Sequence, residues 1–146
     1  VSELKGQAAT VKIEHRISWV GAINQSAVLG YYQQADIFAL ACRVTDDGDR
    51  DGLPNVLVEA ASQGMVCVST RISAIPELFT HDENGLLVAS ENSAELADAL
   101  VAAIGNPEQR YWLGAAAQKQ VRSTLDYHTS IKQLVGLFEG QYKVAS

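Results

Sequence analysis

The chain has 146 residues, a length typical of one globular domain. Hydrophobic residues make up 47% and charged residues 19% of the sequence, a balance that excludes disorder beyond about the first dozen residues. The net charge is −6 and the basic residues are scattered, which excludes a nucleic-acid partner. No apolar run reaches the roughly 18 residues of a membrane span, and no signal peptide opens the sequence.

The first residue indicates whether the chain is a fragment, and the two cysteines indicate its redox compartment. The chain begins with Val1 and not with Met, so we expect it to be a piece of a longer protein. Cys42 and Cys67 lie in apolar runs without a CxxC or His/Cys metal-site spacing. This pattern favours reduced, buried thiols of a cytosolic protein over a disulfide between neighbouring strands or a metal site.

Segments of strand length alternate with segments of helical period along residues 15–104. Residues 1–14 show no such pattern and are predicted to be an irregular lead-in. Strands are predicted at residues 17–21, 37–42, 66–70 and 86–89, and helices at residues 26–34, 54–63, 73–79 and 93–104. We expect Ser26 to cap its helix and Gly64 to end the helix before it.

Residues 105–146 are predicted to be helical throughout. One helix starts at Pro107, a favoured first position, and a later one carries an apolar stripe of Ile131, Leu134, Val135, Phe138 and Tyr142. The whole pattern predicts an α/β fold with a Rossmann-like parallel sheet of about four strands, flanking helices and a helical C-terminal tail. Such sheets bind ligands beyond the carboxyl ends of their strands, here the loops at residues 21–25, 43–53 and 71–75.

The acidic loop before the second predicted helix matches half of a calcium site. Asp47, Asp49, Asp51 and Gly52 fit the first half of an EF-hand loop. The position of the bidentate Glu is Val58, and Glu59 is one residue too far, a rotation of about 100° on a helix. A strand also precedes the loop, where an EF-hand has a helix. A calcium site is therefore disfavoured, and a solvated acidic loop without a ligand is the simpler alternative.

The second half of the same segment indicates an anion site. Gly52, Leu53, Pro54 and Asn55 stand where the helix begins, so the first amides would point outward, supported by the helix dipole. Glu59 lies on the side of this helix opposite its apolar stripe, where a solvent-facing role is the simplest interpretation. The position after a central strand, with Asp51 just ahead, favours a ligand-binding role for both carboxylates.

Four segments, in order and at matching spacing, resemble one protein family: ISWVGAI, YYQQADIFALAC, DGLPNVLVEAASQGMVCVST and SAIPELFTHDENGLLV. Together they are similar to the C-terminal domain of GT-B-fold glycosyltransferases of family 4, a retaining class that uses nucleotide sugars. The resemblance covers residues 17–88. It implies that the parent protein transfers a sugar from a UDP- or GDP-sugar to an acceptor alcohol.

The resemblance also implies roles for individual residues. Glu59 would hold the ribose hydroxyls of the donor, and Asp51, where the family usually has Glu, would be the catalytic candidate beside the donor sugar. The amides of Gly52, Leu53 and Asn55, with Pro54 between them, would bind sugar hydroxyls and the distal phosphate. Gly21, Ala22 and Ile23 would lie beside the nucleobase. Ala41 and Cys42 replace the family's usual Pro-Ser pair.

Further expectations concern cofactors, partners and location. No metal or other cofactor is implied, because helix dipoles and basic side chains stabilise the leaving diphosphate in this class. The family's basic pair, its N-terminal acceptor domain and two strands of the sheet have no counterpart here. We therefore expect the chain by itself to be inactive and to self-associate or rearrange its first strand. The parent is expected in the cytoplasm, with peripheral attachment to the inner membrane face open, in polysaccharide or glycolipid biosynthesis. The alternative is a non-catalytic nucleotide-binding or scaffold domain of the same fold.

Overall fold

The computed structural model describes residues 1–43 and 52–124. The chain divides into two compact units, the first comprising Val1–Gly30 and the second starting at Tyr31. The first unit contains α1 (Ser2–Thr10), a 3-10 turn (Glu14–Arg16) and the first turns of α2 (Gln25–Gln34). The second unit contains β1 (Ile37–Leu40), α3 (Asn55–Ser62), β2 (Val66–Thr70), α4 (Ile75–Leu78), β3 (Leu86–Val88), α5 (Ser93–Gly105) and α6 (Pro107–Thr124).

The irregular lead-in expected for residues 1–14 is wrong over most of its length, because α1 occupies Ser2–Thr10. This segment is rich in good helix formers such as Glu, Leu, Lys, Gln and Ala. Leu4, Ala8 and Val11 also stand at i, i+4 and i+7, so both propensity and spacing support the helix. The helix ends at Val11, and Lys12 follows with a φ of +58°.

The strand predicted at residues 17–21 is also wrong. The backbone at Ile17 is extended, with φ −116° and ψ 124°, but no described residue pairs with this run in a sheet. A strand needs hydrogen bonds to a neighbour as well as an extended conformation. The sheet in the described residues accordingly has three strands and not four.

The three strands form a parallel sheet in the order β1-β2-β3, which confirms the predicted class. Phe38 pairs with Cys67 across the first ladder, and Ser69 pairs with Leu87 across the second. Every residue of β2 and β3 is buried, whereas Ala39 in β1 is exposed. Continuous apolar strands are typical of parallel sheets that are covered on both faces.

Helices pack against both faces of the central strand. Val66 and Val68 of β2 contact the core formed with Leu113 of α6, Ala103 of α5 and Leu86 of β3. The alternate residue Cys67 points to the other side, where its Sγ lies 3.9 Å from the carbonyl oxygen of Leu57 in α3. The core of the second unit is therefore centred on β2.

Side chains define several helix ends. The Asn24 side chain accepts a hydrogen bond from the amide of Ala27 at 2.9 Å, so Asn24 and not Ser26 caps α2. Gly64 follows α3 with a φ of +79°, as expected for the residue that ends this helix. Arg110 of α6 donates to the carbonyl oxygens of Ala103 and Ile104 and so caps the carboxyl end of α5. The predicted helix around residues 131–142 lies outside the described residues.

Candidate functional site

The loops after β1 and β2 meet at the start of α3, at the carboxyl edge of the sheet. The residues that surround this meeting point are Cys42, Arg43, Gly52, Pro54, Ile72, Ser73 and Ile75. The space between them is about 10 Å³, near the minimum for one water molecule. Two of the three loops predicted to bind ligands are thus adjacent in the structure.

Side chains of β2 fix the backbone where the acidic loop leaves β1. The hydroxyl of Thr70 accepts from the amide of Cys42 at 3.0 Å and donates to its carbonyl oxygen at 2.9 Å. Ser69 donates to the carbonyl oxygen of Leu40 at 2.7 Å, and Ser90 donates to that of Cys42 at 3.3 Å. These hydroxyls therefore fix the backbone of Leu40 and Cys42 at the carboxyl end of β1.

The start of α3 offers backbone amides to a ligand. Pro54 is the residue before the helix, with φ −62° and ψ 124°, and no side chain in the described residues caps the helix. The amide of Leu57 donates to the carbonyl oxygen of Pro54 at 3.0 Å. The amides before it have no acceptor within a helix, and the helix dipole places a partial positive charge there. Gly52 is exposed, with open space around its Cα. This arrangement suits a phosphate or sugar hydroxyls.

Glu59 lies one turn into α3 and is not simply solvent-facing. It is half-buried, and its Oε2 lies 3.4 Å from the hydroxyl of Tyr32. The Tyr32 side chain is buried and its ring meets that of Phe38 edge-on, at 5.8 Å between centroids and 74° between planes. Burial, followed by the negative charge of Glu59 and the hydrogen bond to it, raises the pKa of Tyr32 above its usual value. The hydroxyl therefore stays protonated at neutral pH and donates to the carboxylate.

The structure places some of the predicted site residues and leaves others open. Gly52, Leu53, Pro54, Asn55 and Glu59 come together around the first turns of α3. Asp51 lies outside the described residues. Gly21, Ala22 and Ile23 precede α2 in the first unit, where Gly21 has a φ of +70°. Their role beside the nucleobase stays a prediction.

Sequence reasoning missed two features of the region around the site. Tyr32 belongs to the YYQQAD segment that carried the resemblance, but nothing in its spacing indicates a contact with Glu59, 27 residues away. A second cavity of about 210 Å³ opens between the strand ends at Ala41, Thr70 and Val88 and the start of α5 at Asn92 and Ser93. Its only sequence signal is that residues 89–92 follow a strand of the same parallel sheet.

No cluster of three His, Cys, Asp or Glu side chains that could hold a metal ion occurs within residues 1–43 and 52–124. Asp47, Asp49 and Asp51 are outside these ranges, so the structure does not test the calcium hypothesis. Of the helices in the described part of the chain, none combines the length and the apolar character needed to cross a bilayer.

Comparison with known proteins gives concordant matches. The chain is 30% identical over 138 residues to the amylovoran biosynthesis glycosyltransferase AmsK of Erwinia amylovora, covering 94% of this chain and 34% of that protein. It is 31% identical over 137 residues to the phosphatidyl-myo-inositol mannosyltransferase of Mycobacterium leprae, with the same coverage of 94% and 34%. The solved structure of Anabaena Alr3699/HepE in complex with UDP superimposes with a TM-score of 0.80 at 22% identity, covering 95% and 36%.

These matches show both the fold and the family. The chain spans about a third of the length of the relatives it matches. The likeness to HepE concerns the fold, and it confirms the predicted α/β class with a parallel sheet and flanking helices. The sequence profile of the glycosyl transferases group 1 family matches residues 1–120. The chain therefore belongs to the glycosyl transferases group 1 family.

Proposed function

We propose that this chain is the donor-binding half of a retaining, family 4 glycosyltransferase with the GT-B fold. The parent protein would transfer a hexosyl group from a UDP- or GDP-sugar to an acceptor alcohol. The observation that carries the proposal is the start of α3 at the carboxyl edge of the sheet, which no side chain of the described residues caps, with Glu59 one turn further on. Family membership supports the proposed reaction class, and this geometry supports the proposed position of the donor site.

Different residues around α3 bind different parts of the nucleotide-sugar donor. The amides of Gly52, Leu53 and Asn55 bind sugar hydroxyls and the distal phosphate, where the helix dipole stabilises the negative charge that develops on the leaving diphosphate. The carboxylate of Glu59 accepts hydrogen bonds from the ribose hydroxyls. Asp51 contacts the donor sugar, with one methylene less reach than a Glu. Gly21, Ala22 and Ile23 flank the nucleobase. No metal takes part in this scheme.

The names of the relatives favour a surface-polysaccharide or glycolipid product. AmsK is named for amylovoran biosynthesis, and the M. leprae relative is named a phosphatidyl-myo-inositol mannosyltransferase. HepE has been solved with UDP and with UDP-glucose. We propose that the acceptor site lies in an N-terminal domain of the parent, which works in the cytoplasm and contacts the inner face of the membrane through that domain.

A non-catalytic nucleotide-binding or scaffold domain is the second candidate. It is favoured by Asp51, which stands where the family usually has Glu, and by Ala41 and Cys42, which stand in place of a Pro-Ser pair just after β1. Both candidates bind nucleotide, so they are separated by turnover. The full-length parent, given UDP- and GDP-sugars, releases nucleoside diphosphate in an acceptor-dependent way if it is an enzyme and releases none if it is a scaffold.

Calorimetric titration of the chain with UDP, GDP and their sugar conjugates tests the donor site. We expect one of the two nucleotides to bind, and Glu59→Ala to weaken that binding about tenfold or more, since a hydrogen bond to a charged group contributes about 1.5–3 kcal/mol. Glu108→Ala, which removes an exposed carboxylate from the first turn of α6, is the matched control and leaves the affinity unchanged.

Three results would count against this assignment. If neither UDP nor GDP binds, the donor site does not lie in this chain. If the unsubstituted chain and Glu59→Ala bind the nucleotide with equal affinity, Glu59 is not part of the donor site. Binding of Ca²⁺ without nucleotide would favour the calcium loop instead, so a Ca²⁺ titration belongs in the same series.

A further inference from the structure

We infer that Tyr32 is a positioning residue for Glu59: its hydroxyl holds the carboxylate in the orientation that receives the ribose hydroxyls of the donor. Nothing in the family match assigns a role to this side chain. The inference rests on the proposed function, because it deepens the role of the same α3 site.

The contact joins two separate elements. Tyr32 lies in the last turn of α2, and Glu59 lies in the middle of α3, 27 residues later. The two are linked by the 3.4 Å contact between the tyrosine hydroxyl and Oε2 of the carboxylate. Within residues 1–43 and 52–124, Tyr32 is the hydrogen-bond donor that reaches this carboxylate, and it does so at Oε2.

The tyrosine ring is fixed, which makes its hydroxyl a suitable anchor. The side chain is 7% exposed, and its ring packs edge-on against Phe38 of β1. Such an aromatic pair has a preferred geometry and leaves little freedom for the ring to swing. A fixed donor beside a flexible Glu reduces the side-chain entropy that the Glu would otherwise lose when the ribose binds.

The ionisation of the pair agrees with this assignment. The pKa of Tyr32 is raised by burial first and by the charge of Glu59 second, so the hydroxyl keeps its proton throughout the neutral range. A carboxylate has acceptor sites for several donors. One donor from the protein and two from the ribose therefore fit the same carboxylate.

The length of the contact limits its contribution. At 3.4 Å it is longer than the 2.5–3.0 Å typical of O–H···O hydrogen bonds. We therefore expect an effect at the level of one hydrogen bond, about two- to tenfold in affinity. A purely structural role predicts something different, because the ring packing would then account for every effect of Tyr32.

Tyr32→Phe separates these two roles, since it keeps the ring and removes the hydroxyl. Tyr31→Phe is the matched control, because Tyr31 is the preceding residue and is 51% exposed. The affinities of both variants, of Glu59→Ala and of the double variant are measured by calorimetry for UDP and for 2′-deoxy-UDP. Where GDP is the nucleotide that binds, GDP and 2′-deoxy-GDP take their place.

We expect Tyr32→Phe to lower the affinity for UDP about two- to tenfold and to lower the affinity for 2′-deoxy-UDP by less. The melting temperature should stay within about 2 °C of the unsubstituted chain. Tyr31→Phe should match the unsubstituted chain throughout. In the Glu59→Ala background the additional removal of the Tyr32 hydroxyl should have no effect, because the two residues act as one unit.

The ionisation of the Tyr32 hydroxyl can also be measured directly, and this test does not depend on the folding of Tyr32→Phe. Alkaline titration of tyrosine absorbance in Glu59→Gln should show a lower pKa for Tyr32 than in the unsubstituted chain, because the neighbouring charge is gone. An unchanged titration would show that the two groups do not interact and would overturn the inference.

The remaining outcomes are distinguishable. Binding that is lost in Glu59→Ala but intact in Tyr32→Phe overturns the role of Tyr32 and leaves the donor site standing. Equal weakening of UDP and 2′-deoxy-UDP in Tyr32→Phe, with a lowered melting temperature, assigns Tyr32 to structure alone. If the unsubstituted chain binds neither UDP nor GDP, the proposed function fails and this inference fails with it.

Discussion

At the scale of single residues, Cys67 shows how burial sets the chemistry of a side chain. It is the second residue of β2, and its Sγ is 3.8 Å from the carbonyl oxygen of Met65 and 3.9 Å from that of Leu57. Burial raises the pKa of the Cys67 thiol from 9.0 to about 12. Because the thiolate and not the thiol is the reactive form, Cys67 should be inert in the folded protein.

Two measurements test Cys67. In a Cys42→Ala background, labelling of the remaining thiol by a disulfide reagent at pH 8 should require unfolding, and fast labelling of the folded protein would contradict this. The pH dependence has a defined sign. The folded pKa lies above the unfolded one, so the thiol's contribution to stability is complete below pH 9.0 and is lost as the pH rises towards about 12.

In that window the free energy of unfolding should fall by about 1.4 kcal/mol per pH unit because of this group, as an order-of-magnitude estimate. Urea denaturation of the unsubstituted chain and of Cys67→Ala at several pH values above 9.0 measures the difference in slope. Parallel pH profiles of the two proteins would show that the thiol ionises as readily in the folded state as in the unfolded one.

At the scale of elements, α6 closely approaches the turn that ends α3. A Cβ added at Gly114 would overlap the carbonyl oxygen of Gly64 and would lie 3.2 Å from the carbonyl carbon of Met65. Gln118, one turn further on, donates to the carbonyl oxygen of Ser62 at 2.9 Å. The absence of a side chain at Gly114 is thus what lets α6 rest on the backbone of this turn.

Gly114→Ala should lower the free energy of unfolding by about 2 kcal/mol, because overlap with backbone atoms outweighs the roughly 1 kcal/mol gain in helix propensity. Gly105→Ala is the control, since a Cβ at the last residue of α5 meets no atom within 4 Å. It should be neutral or slightly stabilising. Urea denaturation of both variants gives the values, and equal stabilities would mean that the two helices do not approach this closely.

At the scale of the whole molecule, β1 lies at one edge of the described sheet. It pairs with β2 on one side, and within the described residues no strand pairs with its other side. Ala39 in the middle of β1 is exposed, and its neighbours Phe38 and Leu40 are only half-buried. An apolar strand with a free edge can pair with a second chain.

The chain by itself should therefore self-associate, which sedimentation velocity at increasing concentration would reveal. Ala39→Lys places a charge on the edge strand and should shift the distribution towards monomer. Ala102→Lys, which adds the same charge at an exposed position of α5, should not. A monomer at every concentration, with a fourth strand beside β1 in native order, would contradict this prediction.

Features encoded by consecutive residues were predictable from the sequence. The apolar run of β2, the helical period of α5 and Pro107 at the start of α6 predicted the positions of these elements to within a residue or two. The start of α3 at Gly52–Asn55 and the position of Glu59 on it also followed from local spacing and from resemblance. Backbone conformation and side-chain period are local properties, so neighbouring residues determine them.

Tertiary structure decided what depends on partners distant in the chain. Residues 17–21 have the composition of a strand, but a strand also needs a paired neighbour, and none is present in the described residues. Glu59 has the spacing of a solvent-facing residue, but the packing of Tyr32 against Phe38 brings a hydroxyl to its carboxylate. The sequence around Gly114 gives no sign that this helix position lies against the backbone of Gly64. Such contacts arise only when separate elements pack together, and no periodicity along the chain records them.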